Sequence, residues 1–164
     1  MMILPRIKKI LYLTDLSENA RQALGYALAA ADAHEAEITI LHVMEDISPN
    51  AELVVAAFLG YGGIEELKSK TKDDILNRIK NRLSEVCMDI GGRMPECRFV
   101  IREILVETGR PEARILEHVN QKPYDLLVMG NHGHGTIKEM FTGSIARKVV
   151  QSCKKPVLLL PLER

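Results

Sequence analysis

Neither sign of charge prevails in this sequence: Lys+Arg and Asp+Glu number 22 each, which leaves no global field to draw in nucleic acid or an anionic membrane. The three cysteines, Cys87, Cys97 and Cys153, are odd in number, far apart and without CxxC spacing. They read as reduced intracellular thiols, and neither a disulfide framework nor a zinc site is favoured. No stretch approaches the roughly 18 apolar residues that a membrane span needs. The N-terminal Met1-Met2-Ile3-Leu4-Pro5-Arg6 carries too short an apolar run for a signal peptide. Tryptophan is absent, and the remaining composition, 46% apolar and 27% charged, is ordinary. At 164 residues the chain fits one domain spanning 1–164, large enough to bury roughly 70% of its unfolded surface. The expectation is one soluble, cytoplasmic domain.

What the sequence does contain is a glycine-rich stretch, Gly130-Asn131-His132-Gly133-His134-Gly135-Thr136, answered by Thr142-Gly143-Ser144. It follows a strand-like run, Tyr124 to Met129, and precedes a helical pattern beginning at Ser144. Glycines between a strand end and a helix start let the backbone approach a ligand. The helix N-terminus adds free N–H groups and about half a unit of positive charge. The form is Gly-x2-Gly-x9-Gly-Ser. No Gly-Lys-Ser/Thr follows, so it is not a Walker loop, and its first gap excludes the G-x-G-x-x-G dinucleotide fingerprint. Any phosphate must then be met by backbone N–H groups, the Ser144 hydroxyl, the helix dipole and a divalent ion. The plainer alternative is a strand-end turn with Ser144 as an ordinary N-cap.

Along the chain, Ile10 to Thr14 reads as a first strand, and Ser17 as the N-cap of a helix ending near Ala33-His34. Glu37 to Val43 is a second strand. Met44 to Gly63 is a long connection with a short helix over Ala51 to Leu59; it is either a lid or partner surface or a surface excursion without a role. Ile64 to Ile90 has apolar residues mostly three or four apart and reads as one amphipathic helix stopped by Gly91-Gly92. Its basic side is a solvated face or, less simply, a surface for an acidic partner. Arg98 to Val106 is a third strand, Gly109-Arg110-Pro111 starts a helix, and Pro156 to Pro161 brackets a fifth strand. Strands that are continuous apolar runs, alternating with helices, predict a doubly wound α/β fold with a parallel sheet covered on both faces. Ligands in such sheets bind beyond the strand carboxyl ends, at the switch point.

These motifs, with Val128-Met129 before the glycines and Lys155-Pro156-Val157-Leu158-Leu159-Leu160 after them, resemble the ATP-binding branch of the universal stress protein family over the whole chain. Leu11-Tyr12-Leu13-Thr14-Asp15-Leu16-Ser17 is similar to the family's first strand and loop, and Leu41-His42-Val43 to its second strand end. The resemblance implies a five-stranded Rossmann-like sheet of order 3-2-1-4-5 and a homodimer paired through the last strand, Val157, Leu158, Leu159 and Leu160. It also implies an ATP site, with Mg²⁺ or Mn²⁺ held mainly by the phosphates. In it Thr14, Asp15 and the Val43 backbone line the adenosine end and Met129 and Gly130 run along the ribose. Gly133, Gly143, Ser144 and Ile145 hold phosphates. Leu16 departs from the small residue, commonly Gly, that the family more often has there.

His132 and His134 project from the glycine loop either to phosphate oxygens or to solvent. Two histidines at i, i+2 without a nearby carboxylate make a poor metal set. His42 reads as a hydrogen-bonded structural histidine. The fifth strand, if unpaired, leaves an apolar edge that proteins normally cover, by a second copy or, less economically, by the middle loop. No acid–base pair or activated nucleophile is legible in the chain. The expected function is therefore a nucleotide-dependent switch or sensor in stress response. The alternatives are a slow ATPase or nucleotide hydrolase in the same crevice, and a scaffold that has lost its nucleotide.

Overall fold

The computed structural model describes residues 1–45, 49–98, 100–131 and 143–161. Five parallel strands, β1 (Lys9–Leu13), β2 (Glu37–Met44), β3 (Val100–Thr108), β4 (Leu126–Gly130) and β5 (Val157–Leu160), form one sheet of order β3-β2-β1-β4-β5. Helices α1 (Glu18–His34), α2 (Pro49–Phe58), α3 (Ile64–Lys68), α4 (Lys72–Arg93), α5 (Pro111–Gln121) and α6 (Ser144–Ser152) connect them. The fold class and strand order match the expectation. No helix among the described residues is long and apolar enough to cross a membrane.

Alternation along the strands splits the core into two clusters. Ile10, Tyr12, Ile38, Ile40 and Val128 pack with the α1 residues Ala23, Ala27 and Ala31 and with Ile75, Ile79 and Leu83 of α4. Leu11, Leu13, Leu41, Val43, Leu127 and Met129 pack with Ile115 and Val119 of α5 and with Ala146 and Val149 of α6. Because both faces are covered, the central strands are apolar on both sides, with Thr39 and His42 of β2 as buried polar exceptions, and burying each apolar side chain contributes about 1.5–3 kcal/mol. Alanines on α1 let that helix lie close over the centre of the sheet. Tyr12 donates its hydroxyl to the Ala20 carbonyl, pinning the start of α1 to β1, and burial pushes the phenol above its usual range.

Three local expectations are corrected. The pattern from Ile64 to Ile90 is two helices, because Thr71 accepts the Asp74 N–H at 3.2 Å and starts α4 anew. Gly91-Gly92 does not stop α4, which runs on to Arg93. A Cβ at either glycine would meet nothing within 4 Å, so both sit on an open helix surface, and Arg93 pairs back to Asp89 at 3.1 Å. The third strand begins and ends two residues later than the apolar run suggests. Its register is set by β2, with Glu37 opposite Val100 and Met44 opposite Thr108.

Candidate functional site

At the carboxyl end of the sheet, β1 lies between β2 and β4, and Tyr12 is opposite Val128. The chain leaves β1 for β2 on one side while β4 takes the other, so the switch point falls between β1 and β4. The last rung between β1 and β2 is the Thr14 N–H to the Leu41 carbonyl, at 3.0 Å. Beyond it Leu16 adopts φ 67°, a left-handed conformation that costs a branched side chain about 1–2 kcal/mol. Its buried side chain joins the cluster of Tyr12 and Leu24.

The loop is held by its own polar groups. Thr14 Oγ1 accepts the Leu16 N–H at 3.0 Å. Asp15 Oδ1 accepts the Ser17 N–H at 3.0 Å and also the Ser17 hydroxyl. Ser17 Oγ in turn accepts the Ala20 N–H at 3.3 Å, capping α1. Asp15 is thus half-buried and fixed in a turn at the mouth of the switch point.

Val43 continues β2 past this turn. The Leu41 carbonyl faces β1, where it meets Thr14, and the Met44 carbonyl faces β3, where it accepts the Gly109 N–H at 3.1 Å. Backbone groups alternate along a strand, so the Val43 N–H and C=O face the β1 side, beyond the last rung. There the chain has already turned away at Leu16. Among the described residues an adjacent donor and acceptor are left at the rim.

On the other side of β1, Met129 is buried in the α5–α6 cluster and Gly130 ends β4 opposite Leu160. Asn131 then makes two backbone bonds. Its N–H donates to the Leu160 carbonyl at 2.7 Å, and its carbonyl accepts the Gly143 N–H at 2.8 Å. This second bond brings the start of α6 against the end of β4. The N-cap of α6 is Gly143, with φ −52° and ψ 149° and no side-chain cap; the Ser144 N-cap alternative is therefore corrected, since Ser144 is the first helical residue and exposed. The first intrahelical bond is Arg147 N–H to the Gly143 carbonyl, at 2.9 Å, so the N–H groups of Ser144, Ile145 and Ala146 are those a helix leaves without intrahelical partners. By contrast, α1 and α4 carry side-chain caps at Ser17 and Thr71.

Three side-chain contacts steady the surrounding helices. Glu112, in the first turn of α5, meets Lys148 of α6 at 3.0 Å and Arg110 at 3.6 Å. Its own backbone N–H at the helix start and the Lys148 ammonium hold its carboxyl below the usual range. His118 Nε2 and Glu107 Oε1 lie 2.7 Å apart and tie α5 to β3.

The structure thus brings Thr14, Asp15, Val43, Met129, Gly130, Gly143, Ser144 and Ile145 to one rim. His132, Gly133 and His134 lie outside the described residues. Among the described residues, no group of three or more His, Cys, Asp or Glu is arranged to hold a metal. Sequence reasoning missed the bridging role of Asn131, which is carried entirely by its backbone and leaves no side-chain signature. It also missed the partner of His42, whose Nδ1–H donates to the Thr14 carbonyl at 2.9 Å.

Comparison with known proteins agrees with this architecture. The model of the universal stress protein family matches residues 6–161. Universal stress protein MJ0577 of Methanocaldococcus jannaschii is 30% identical over 157 residues, covering 93% of this chain and 94% of the relative. A universal stress protein of Thermus aquaticus is 31% identical over 153 residues, covering 93% of this chain and 98% of its own. The solved structure of MJ0577 superposes with a TM-score of 0.68 at 29% identity, over 98% of this chain and 99% of that one. An Arabidopsis thaliana family member solved with AMP bound shares the fold at a TM-score of 0.57 and 15% identity, over 95% and 92% of the two chains. With a family match across nearly the full sequence and relatives at this identity, the chain belongs to the universal stress protein family.

Proposed function

We propose that this protein binds ATP at the carboxyl rim of β1, β2 and β4 and acts as a cytoplasmic, nucleotide-dependent switch or sensor in stress response. The observation that carries the proposal is the bond from Gly143 to Asn131, 2.8 Å long. It holds an uncapped helix N-terminus at the switch point, beside a second strand whose Val43 peptide edge is open. One end suits an anion and the other suits a base edge with adjacent donor and acceptor. Thr14 and Asp15 would stand by the nucleoside, and Met129 and Gly130 along the ribose. Gly143, Ser144 and Ile145 would hold phosphates, with His132 and Gly133 added on the family resemblance. A Mg²⁺ or Mn²⁺ ion would be carried mainly by the phosphates. That a relative of the same fold was solved with AMP bound supports an adenine ligand.

Occupancy rather than turnover is the expected output. The groups that converge are backbone N–H and C=O groups, a hydroxyl and an aspartate held in a turn, which bind and orient a ligand. A homodimer through β5 completes the proposal. Among the described residues that strand pairs only with β4, and Leu158 on it is 36% exposed. Calorimetric titration with ATP, ADP, AMP and GTP, with and without Mg²⁺, tests the nucleotide. Preferred binding of adenine nucleotides supports the proposal, and equal affinity for GTP contradicts the base-edge assignment.

A further inference from the structure

The ladder between β1 and β2 stops one bond early. After Thr14 N–H to Leu41 carbonyl, the next rung of a parallel pair would be Val43 N–H to the Thr14 carbonyl. That rung is not among the backbone bonds of the described residues. The Thr14 carbonyl is taken instead by the side chain of His42, at 2.9 Å. His42 and Thr14 are both buried, at 3% and 9% exposure, so this carbonyl needs a donor from the protein. We infer that His42 is a positioning residue for the adenine edge: by supplying the donor to Thr14, it keeps the Val43 N–H uncommitted and available to a ring acceptor of the base.

The chemistry is one of competition. Without the imidazole, the Thr14 carbonyl would be a buried acceptor beside the one backbone N–H that register places next in the ladder. The strands would zip by one rung and close the edge. The role requires a proton on Nδ1, since a carbonyl can only accept. It also requires no contact between His42 and the nucleotide; strand alternation sends the imidazole to the sheet face opposite the Leu41 and Val43 side chains. This inference rests on the adenine-nucleotide proposal above and goes further by naming what sets base selectivity.

The test uses AMP, 1-deaza-AMP (which lacks the N1 acceptor) and inorganic triphosphate, on the wild type, His42→Leu and His42→Asn. The wild type is expected to prefer AMP over 1-deaza-AMP by about tenfold, the value of one hydrogen bond. His42→Leu should reduce that preference to within about twofold while triphosphate affinity is unchanged. His42→Asn, whose amide N–H can reach the same carbonyl, should restore it. An undiminished preference in His42→Leu overturns the inference while leaving nucleotide binding intact. So does parallel weakening of AMP and triphosphate, which marks a merely structural role. No adenine nucleotide binding by the wild type overturns the site and the inference together. The tautomer gives a measurement free of any variant. Long-range ¹H–¹⁵N spectra of the wild type should show His42 protonated on Nδ1, and a bare Nδ1 overturns the inference even if His42→Leu does not fold.

Discussion

Gly143 donates its N–H to the carbonyl of Asn131 at 2.8 Å, while the N–H of Asn131 is spent on Leu160 of β5 at 2.7 Å. One residue thus joins the last strand, the end of β4 and the start of α6. The position of the α6 N-terminus follows from sheet pairing.

This arrangement makes Ser144→Pro an informative change. Proline is well suited to the first helical position, and Gly143, at φ −52° and ψ 149°, already has the extended backbone that must precede it. The variant should fold, with a stability change within about 1 kcal/mol, or roughly 2–4 °C in melting temperature. It removes one N–H and the hydroxyl from the proposed phosphate end. Hydrogen bonds to charged groups contribute about 1.5–3 kcal/mol each, so ATP affinity should fall at least about tenfold in calorimetry. Unchanged affinity would remove Ser144 from the site.

Leu16 sets a backbone cost against a packing gain. Relieving φ 67° with Leu16→Gly recovers about 1–2 kcal/mol. Removing a leucine that is only 8% exposed loses more, since Leu→Ala changes in cores cost about 2–5 kcal/mol. Packing wins, and chemical denaturation should show net destabilisation of about 1–3 kcal/mol. A variant at least as stable as the wild type would mean that the side chain contributes little to the core.

Glu112 should confer a pH dependence. Its folded pKa is depressed by its own N–H at the start of α5 and by Lys148. The stability it adds is therefore present above its unfolded pKa, about 4.3, and is lost as pH falls through the lower folded value. Glu112→Gln should destabilise by about 0.5–1 kcal/mol at pH 7, and the two proteins should converge in acid. Parallel stability curves down to about pH 2 would show that the carboxylate charge is not what Glu112 supplies.

Much of the fold is legible because buried parallel strands leave an apolar signature, unbroken from Leu126 to Met129, and because proline marks boundaries at Pro111 and on either side of β5. The break in the helix over Ile64 to Ile90 carried a signal as well: Thr71 stands three residues before Asp74 and caps its N–H. Periodicity overrode it, since the apolar stripe continues across the break. Gly91-Gly92 misled in the opposite sense, because a helix tolerates glycine where its surface is open. At the candidate site, Asp15, Gly130 and Gly143 stand out in the sequence by residue type. Asn131 and Val43 act through peptide groups, whose direction is fixed by strand register and not by side-chain identity.

The β5 edge can be tested apart from the nucleotide. Leu158→Asp places a charge on the exposed side of β5, whereas Leu159 packs against the α5–α6 cluster. Sedimentation velocity should find a dimer for the wild type and a folded monomer for Leu158→Asp. A dimer that survives the charge would take β5 out of the interface.

The claim on which the rest depends is that an adenine nucleotide occupies the rim between β1 and β4. A ligand at about 100 times its dissociation constant adds ~2.7 kcal/mol, which for a chain of this size raises the melting temperature by roughly 5–10 °C. A thermal-shift series with saturating ATP and Mg²⁺ is the most direct measurement. The account predicts a rise in that range with ATP and a smaller one with GTP, and no shift with any adenine nucleotide would contradict it.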